Sequence, residues 1–116
     1  MKKIYYLSTC DTCKRIMDEI EIPQNFIKKD LRATGLTATE VEEMFTLAGS
    51  YEALFSKRAK RYRERGLKNE RLLEADYRDL LLEHYTFLKR PVIINGDQIF
   101  MGNSKKTVLA AKAAIH

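Results

Sequence analysis

The two cysteines of the chain, Cys10 and Cys13, are the residues whose types and spacing best suit chemistry. They form a Cys-x-x-Cys pair that follows a β-branched and aromatic run at residues 4–7 and precedes apolar residues at helical spacing. This pattern predicts a strand, a turn and a helix, with Cys10 at the helix start. Free backbone N–H groups and the helix dipole favour an anion there. We therefore predict that Cys10 reacts as a thiolate nucleophile and that Cys13 resolves a mixed disulfide on it.

Polar and basic residues surround this pair. Lys14 and Arg15 add positive charge in the first turns of the predicted helix, which favours a thiolate on Cys10. Thr9 lies in the turn, and Asp11 and Thr12 lie between the cysteines. The residues next to the pair that we predict to bind a substrate anion are Thr9, Asp11, Thr12 and Lys14.

Other interpretations of the cysteine pair compete with redox chemistry. We predict no metal site, because two cysteines cannot complete a tetrahedral zinc site and His84 and His116 lie far away without ligand spacing. No signal-peptide pattern precedes the pair, and a reducing cytosol would keep a structural disulfide open. Two inert buried thiols stay open as an alternative. A Cys-x-x-Cys at a strand-to-helix junction near a βαβ pattern favours redox chemistry.

Length and composition limit the class of protein. A chain of 116 residues is long enough for one domain, and 45% hydrophobic with 32% charged residues is typical of globular proteins. No apolar run approaches membrane-spanning length, so we expect a cytoplasmic protein with no membrane segment. The net charge of +5 permits acidic partners without requiring nucleic acid.

The elements that must position the cysteines begin with a βαβ unit. The first helix is predicted to end near Glu21, because Pro23 cannot continue it. A second strand is predicted at about residues 25–31, parallel to the first. Residues 33–35 are then predicted to interrupt the regular secondary structure. A capping box from Thr37 to Glu40 predicts the start of a second helix, which should end at a following glycine.

The rest of the chain is predicted to be helical and then to return to strand. Residues 50–88 are predicted to be wholly helical. The Asn95-Gly96 pair between apolar runs predicts a hairpin over residues 92–101 with a type I′ turn. Ser104 is predicted to cap a last helix. The residues of that helix available for packing are Val108, Leu109 and Ala111.

The order of these elements predicts an α/β fold. A βαβ unit, several helices, a hairpin and a final helix describe a small four-stranded mixed sheet flanked by helices, with the hairpin antiparallel to the first two strands. This is a thioredoxin-like or glutaredoxin-like arrangement. We expect a single domain of residues 1–116 with a helical insertion at about 37–88.

Four blocks of sequence, in order, support a resemblance that spans nearly the whole chain. They are Cys10-Asp11-Thr12-x-Lys14; Tyr51-Glu52-Ala53-Leu54-Phe55 with Arg58, Tyr62-Arg63 and Gly66-Leu67; Leu88-Lys89-Arg90-Pro91-Val92; and Met101-Gly102. With these blocks the chain resembles the family of glutaredoxin-fold proteins that contains the arsenate reductases (ArsC), the YffB-type proteins and the Spx transcriptional regulators.

The resemblance implies roles for four residues. Cys10 matches the reactive cysteine of the family. Arg90 matches an arginine that helps to hold the oxyanion in the arsenate reductases, and Pro91 matches the cis proline that faces the active cysteine. Arg58 matches a position shared with the YffB-type proteins, and we predict that it binds an anion. A guanidinium offers a planar fork of donors that suits an oxyanion or a glutathione carboxylate.

The resemblance leaves two functions open. One is a thiol oxidoreductase of the arsenate reductase family, with no bound cofactor and with glutathione as co-substrate. The arsenate reductases hold their oxyanion with three arginines, and here the first and third positions are Ser56 and Gly102. The other function is an Spx-like redox-sensing transcriptional regulator that binds RNA polymerase. The Cys-x-x-Cys is shared with the Spx proteins, whereas the framing residues are of the YffB type.

One strongly basic stretch, residues 57–71, departs from the average charge of the chain. We call it the basic segment. A solvated helix face is one interpretation; the others are attraction of glutathione or an oxyanion, and docking of an acidic protein. We do not expect nucleic acid, because no binding motif accompanies the stretch. Its cations are Lys57, Arg58, Lys60, Arg61, Arg63, Arg65, Lys68 and Arg71.

Overall fold

The computed structural model describes residues 1–116. It contains two compact units, of which the first comprises Met1–Thr34 and Arg90–His116 and the second comprises Gly35–Lys89. The single domain with a helical insertion stays a prediction. No helix combines the length and the apolar composition needed to cross a membrane.

The chain forms strands and helices in the predicted order. The four strands, all in the first unit, are β1 (Lys2–Tyr6), β2 (Ile27–Asp30), β3 (Val92–Asn95) and β4 (Gln98–Met101). The six α-helices are α1 (Asp11–Ile20), α2 (Leu31–Thr34), α3 (Ala38–Ala48), α4 (Lys60–Glu64), α5 (Glu74–Glu83) and α6 (Lys105–Ile115). Single 3₁₀ turns lie at Glu52–Leu54, Leu67–Asn69 and Tyr85–Phe87.

The strands of the first unit form one mixed sheet. Their order is β2-β1-β3-β4, in which β1 is parallel to β2 and antiparallel to β3, and β3 is antiparallel to β4. The parallel β1–β2 pair confirms the predicted βαβ unit. The hairpin runs antiparallel to it, which confirms the predicted mixed sheet.

Both faces of this sheet are buried at its centre. On one face, Ile4 and Ile93 belong to a cluster with residues of α1 and α6. Tyr5 and Val92, the neighbours of these residues along β1 and β3, point to the opposite face because side chains alternate in a strand, and both are fully buried. The cluster of the first face contains Ile4, Ile16, Ile20, Phe26, Ile93, Val108 and Ala111.

The end of β2 differs from the prediction. The strand was expected to reach Leu31, but it ends at Asp30, and Leu31 begins the one-turn helix α2. The carboxylate of Asp30 accepts a hydrogen bond from the backbone N–H of Arg32 at 3.1 Å. An aspartate that bonds its own backbone two residues on forms a turn, so the chain bends at Asp30.

The hairpin is confirmed, but its predicted turn is wrong. Asn95 pairs with Gln98, so the two loop residues are Gly96 and Asp97. A type I′ turn requires positive φ at both loop residues, and only Gly96, with φ 64°, has it. Glycine at the first loop position is the placement of a type II′ turn.

Helix α6 begins as predicted and packs with one difference. Its N-cap Ser104 accepts a hydrogen bond from the backbone N–H of Thr107 at 3.1 Å, which confirms the cap. Val108 and Ala111 are buried, whereas Leu109 is 52% exposed, so the predicted packing of Leu109 is wrong. Val108 and Ala111 lie three residues apart on one helix face, and the intervening Leu109 is turned away by about 100°.

The second unit begins with helix α3. The capping box is confirmed, because Thr37 Oγ1 accepts from Glu40 N–H at 3.2 Å and Glu40 Oε1 accepts from Thr37 N–H at 3.0 Å. Gly49 ends α3 with φ 87°, also as predicted. The expectation that residues 50–88 are wholly helical is wrong, since Phe55 and Leu88 form an isolated antiparallel β-bridge.

Aromatic rings form the centre of the second unit. The Phe55 ring stacks on Phe87 at 5.2 Å between centroids and meets the ring edges of Tyr62 and Tyr77. The β-bridge of Phe55 holds its backbone extended at this point. Ring packing and the bridge therefore override the helical pattern of the neighbouring residues.

Candidate active site

Cys10 lies where the sequence places it, at the N-terminus of α1. It is the N-cap residue, with extended backbone (φ −99°, ψ 108°) and no capping hydrogen bond from its side chain. Its N–H donates to the Leu7 carbonyl at 3.0 Å, and its carbonyl accepts from the Lys14 N–H at 3.2 Å. Cys10 as a whole is half-buried. Cys10 is therefore partly accessible from solvent, and its side chain does not cap the helix.

Cys13 is the buried member of the pair. Both cysteines are free thiols, and Cys13 has no exposed surface. The pKa of Cys13 is raised to about 11, mainly by burial and in smaller part by a hydrogen bond to Cys10 and the nearby Cys10 charge. A backbone hydrogen bond from Leu7 and the charge of Arg90 act in the opposite direction on this pKa. Cys13 is thus a protonated thiol at neutral pH, in contact with Cys10.

Arg90 is the cation of this site. The Arg90–Pro91 peptide bond is cis, as the family resemblance implies, and Pro91 is buried. The guanidinium nitrogen Nη1 of Arg90 is buried and has no hydrogen-bond partner. A buried donor without a partner costs about 1–3 kcal/mol, and an anionic ligand would remove that cost. Arg90 therefore carries an unused donor close to the cysteine pair.

Asp30 also contacts the loop that carries Cys10. Its Oδ1 accepts from the Ser8 N–H at 3.1 Å, across 22 residues of sequence. A hydrogen bond from the Ser8 side chain is the main reason why the pKa of Asp30 is lowered, and the backbone bonds of Ser8 and Arg32 add to this. Sequence reasoning missed Asp30. The sequence contained a signal for it. Asp30 ends one strand of the predicted parallel pair and the Cys10 loop follows the other strand, so both lie at the carboxyl ends of the strands.

The sequence model of the ArsC family matches residues 5–111. The chain belongs to the ArsC family. The match includes both cysteines, Arg90 and Pro91.

Known relatives of this ArsC-family chain differ in what their names describe. It is 21% identical over 108 residues to the global transcriptional regulator Spx 2 of Bacillus cereus, covering 90% of this chain and 82% of that protein. The structure matches the YFFB protein with a TM-score of 0.80 and 22% identity over 100% of both chains. It matches the arsenate reductase from Vibrio cholerae with a TM-score of 0.76 and 18% identity, over 95% and 96% of the two chains. These likenesses confirm the predicted thioredoxin-like fold.

The ArsC-family fold brings three predicted site residues together, namely Cys10, Cys13 and Arg90. Arg15, expected to add charge for the thiolate, instead pairs with Glu19 at 3.9 Å on the exposed surface of α1. The other predicted residues of the first unit lie around the helix start, where Thr9, Asp11 and Lys14 are exposed and Thr12 is half-buried. Their role in binding an anion stays a prediction.

Arg58 belongs to the second unit and is exposed. Its predicted role in anion binding stays a prediction. No group of three or more His, Cys, Asp or Glu side chains is arranged to hold a metal ion.

Proposed function

We propose that this ArsC-family protein is a thiol–disulfide oxidoreductase in which Cys10 is the nucleophile and Cys13 the resolving thiol. One observation supports the proposal above the rest: the side chains of Cys10 and Cys13 are hydrogen-bonded to each other at a helix N-terminus, beside the charge of Arg90. A pair in contact can pass from a mixed disulfide to an intramolecular disulfide without a large rearrangement.

The reaction proceeds in two exchanges. The Cys10 thiolate attacks one sulfur of a disulfide substrate; its S–S bond breaks, a mixed disulfide forms on Cys10, and the leaving thiolate takes a proton. Cys13 then loses its proton and attacks the Cys10 sulfur, which releases the second substrate thiol and leaves a Cys10–Cys13 disulfide. The substrate is reduced by two electrons and the cysteine pair is oxidised by two.

The order of the two exchanges follows from the surroundings of Cys13. Part of the rise in the pKa of Cys13 comes from the charge of Cys10 and the hydrogen bond to it. A mixed disulfide on Cys10 removes that charge, whereas the lowering effects of Leu7 and Arg90 on this pKa persist. Cys13 is thus held as a thiol in the resting protein and becomes easier to ionise once Cys10 carries an adduct.

Glutathione is the co-substrate that we propose. Two glutathione molecules would reduce the Cys10–Cys13 disulfide and leave as glutathione disulfide, which restores both thiols. The carboxylates of glutathione suit the unpaired guanidinium nitrogen of Arg90. A reducing cytoplasm is the matching compartment, because it supplies glutathione and keeps the pair reduced.

Disulfides fit this site better than arsenate. Of the three arginine positions of the arsenate reductases, only Arg90 is an arginine in this chain. Gly102, at the third position, has no side chain, and its backbone N–H already donates to the Pro91 carbonyl at 2.9 Å. Ser56, at the first position, carries no charge.

A second candidate function is an Spx-like redox-sensing regulator whose partner is RNA polymerase or another acidic protein surface. Besides the similarity to Spx 2, the charges of the basic segment favour it. Lys57 pairs with Glu52, Lys60 with Glu64 and Arg65 with Glu83. The remaining cations make no ion pair and are exposed, so they are available to an acidic partner. These are Arg58, Arg61, Arg63, Lys68 and Arg71.

One experiment separates the two functions. The reduced protein is mixed with bis(2-hydroxyethyl) disulfide, and the products are followed by mass spectrometry and, with excess glutathione, by the formation of glutathione disulfide. We expect sustained turnover, its loss in Cys10→Ser, and accumulation of a mixed disulfide in Cys13→Ser. A single oxidation without turnover, together with salt-sensitive co-purification of RNA polymerase, would favour the regulator.

A further inference from the structure

Asp30 stands at the sheet edge from which the cysteine loop departs. It is the last residue of β2 and is in register with Tyr6, the last residue of β1. Because the two strands are parallel, their carboxyl ends share an edge, and the chain leaving β1 runs past the Asp30 side chain. Residues 7–10 of that chain lead directly to Cys10.

The Asp30 carboxylate accepts hydrogen bonds from this loop and from the turn that follows β2. Asp30 Oδ1 accepts from the backbone N–H of Ser8 and from that of Arg32, each at 3.1 Å. The side chain of Ser8 donates a further hydrogen bond, and together these bonds hold the pKa of Asp30 below its usual range. The carboxylate is therefore ionised at neutral pH, and hydrogen bonds to an ionised acceptor are the stronger kind.

The bond from Ser8 N–H reaches Cys10 through a single peptide group. The Ser8 N–H and the Leu7 carbonyl belong to the same peptide unit, which is planar. That carbonyl accepts the hydrogen bond from Cys10 N–H at 3.0 Å. Asp30 binds the N–H of this peptide group and Cys10 binds its carbonyl oxygen. A change in the orientation of the peptide group would therefore alter both hydrogen bonds.

The same residue, Leu7, also reaches the second cysteine. A hydrogen bond from the Leu7 backbone lowers the pKa of Cys13, against the raising effect of burial. Leu7 thus accepts a hydrogen bond from the Cys10 N–H with its carbonyl oxygen, and it makes a separate backbone hydrogen bond to the Cys13 side chain. A rotation of the Leu7–Ser8 peptide would disturb the position of Cys10 at the start of α1.

We propose that Asp30 is a positioning residue for Cys10, acting through the Leu7–Ser8 peptide group. The proposal rests on the proposed function insofar as Cys10 is the reacting thiol. What matters is the place of the acceptor oxygen, because the carboxylate charge itself opposes a thiolate. A side chain that keeps the oxygen at the same place without the charge should preserve the reactivity of Cys10.

Three variants separate acceptor geometry from charge. Asp30→Ala removes the acceptor. Asp30→Asn keeps an oxygen at the same distance from the backbone and removes the charge, whereas Asp30→Glu keeps the charge and moves the oxygen by one methylene. Asp97→Asn, an exposed aspartate of the hairpin loop in the same unit, is the matched control.

The readout is the rate of iodoacetamide alkylation of Cys10 at pH 7 in a Cys13→Ser background, with thermal unfolding recorded for each variant. We expect Asp30→Ala and Asp30→Glu to slow alkylation about tenfold, the factor that loss of one hydrogen bond gives. Asp30→Asn and Asp97→Asn should stay within about twofold of the background, since each keeps the geometry at Cys10.

Rescue by Asp30→Asn is the result that a purely structural role would not produce. Alkylation of Asp30→Ala at the background rate would overturn the proposal, and so would equal slowing in Asp30→Asn and Asp30→Ala. If Asp30→Ala does not fold, Asp30→Asn is compared with Asp30→Glu. Faster alkylation in Asp30→Asn supports the proposal, and equal alkylation rates overturn it. Alkylation needs no disulfide substrate, so absence of glutathione turnover would count against the proposed function and leave this test intact.

Discussion

The thiol of Cys13 is hydrogen-bonded to the side chain of Cys10, while Cys10 alone reaches the surface. The two cysteines of one motif therefore differ in accessibility. Burial keeps Cys13 protonated, and the Cys10 side chain makes no capping hydrogen bond at the helix start. This division of roles is what a two-step disulfide exchange needs.

The first prediction concerns which cysteine reacts. In single-cysteine variants at pH 7, we expect Cys10 to be alkylated at least about tenfold faster than Cys13, because burial, the largest cause of the raised pKa of Cys13, remains when Cys10 is replaced. The measurement is the rate of iodoacetamide labelling of Cys13→Ser against Cys10→Ser. Faster labelling of the protein that keeps only Cys13 would contradict the assignment.

The second prediction is a loss of stability at high pH. The unfolded Cys13 thiol ionises near its ordinary pKa of 9.0 and the folded one at about 11. Below pH 9 both states hold the proton; between these values the unfolded state releases it first, so the free energy of unfolding falls as pH rises. The fall attributable to Cys13 is at most about 3 kcal/mol.

Urea unfolding at pH 8 and at pH 10.5 measures this loss. Other groups also titrate in this range, so Cys13→Ala is the control, because it lacks the titrating thiol. The free energy of unfolding is compared between the two pH values for each protein. The difference between the two proteins in this change isolates the contribution of Cys13. Equal changes would show that burial of Cys13 does not resist its ionisation.

The third prediction concerns Arg90. Arg90→Lys should slow turnover with glutathione about tenfold, because a lysine keeps the charge and loses the planar fork of donors. The melting temperature should change little, since Nη1 makes no hydrogen bond that would be lost. Arg78→Lys, in the second unit, is the matched control. Unchanged turnover in Arg90→Lys would remove Arg90 from the proposed substrate site.

The fourth prediction concerns the other end of α1. Nε2 of His116 lies 2.7 Å from the carbonyl oxygen of Ile20 and 3.1 Å from that of Glu21, so it donates to the helix C-terminus. His116→Ala should lower the free energy of unfolding by about 1 kcal/mol, the usual value of one hydrogen bond. Urea unfolding at pH 7, with Lys112→Ala as control, measures it. If His116→Ala lowered the free energy of unfolding no more than Lys112→Ala does, the hydrogen bond from His116 would not stabilise the C-terminus of α1.

Local sequence patterns determined the elements and the position of the reactive pair. The strand-turn-helix signal placed Cys10 at a helix start, and the Thr37–Glu40 box placed the start of α3, because these features depend on neighbours within a few residues. The resemblance to a known family supplied the cis bond before Pro91.

Only the tertiary structure decided the features that depend on distant contacts. The bond from Ser8 to Asp30 joins residues 22 apart, and the raised pKa of Cys13 comes first from burial among other elements. The hairpin register followed the pairing of Asn95 with Gln98 rather than the local turn preference. Leu109 is exposed because only one face of α6 meets the sheet. Strand pairing, burial and contacts between residues far apart in sequence are properties of the packed chain, so a local pattern cannot specify them.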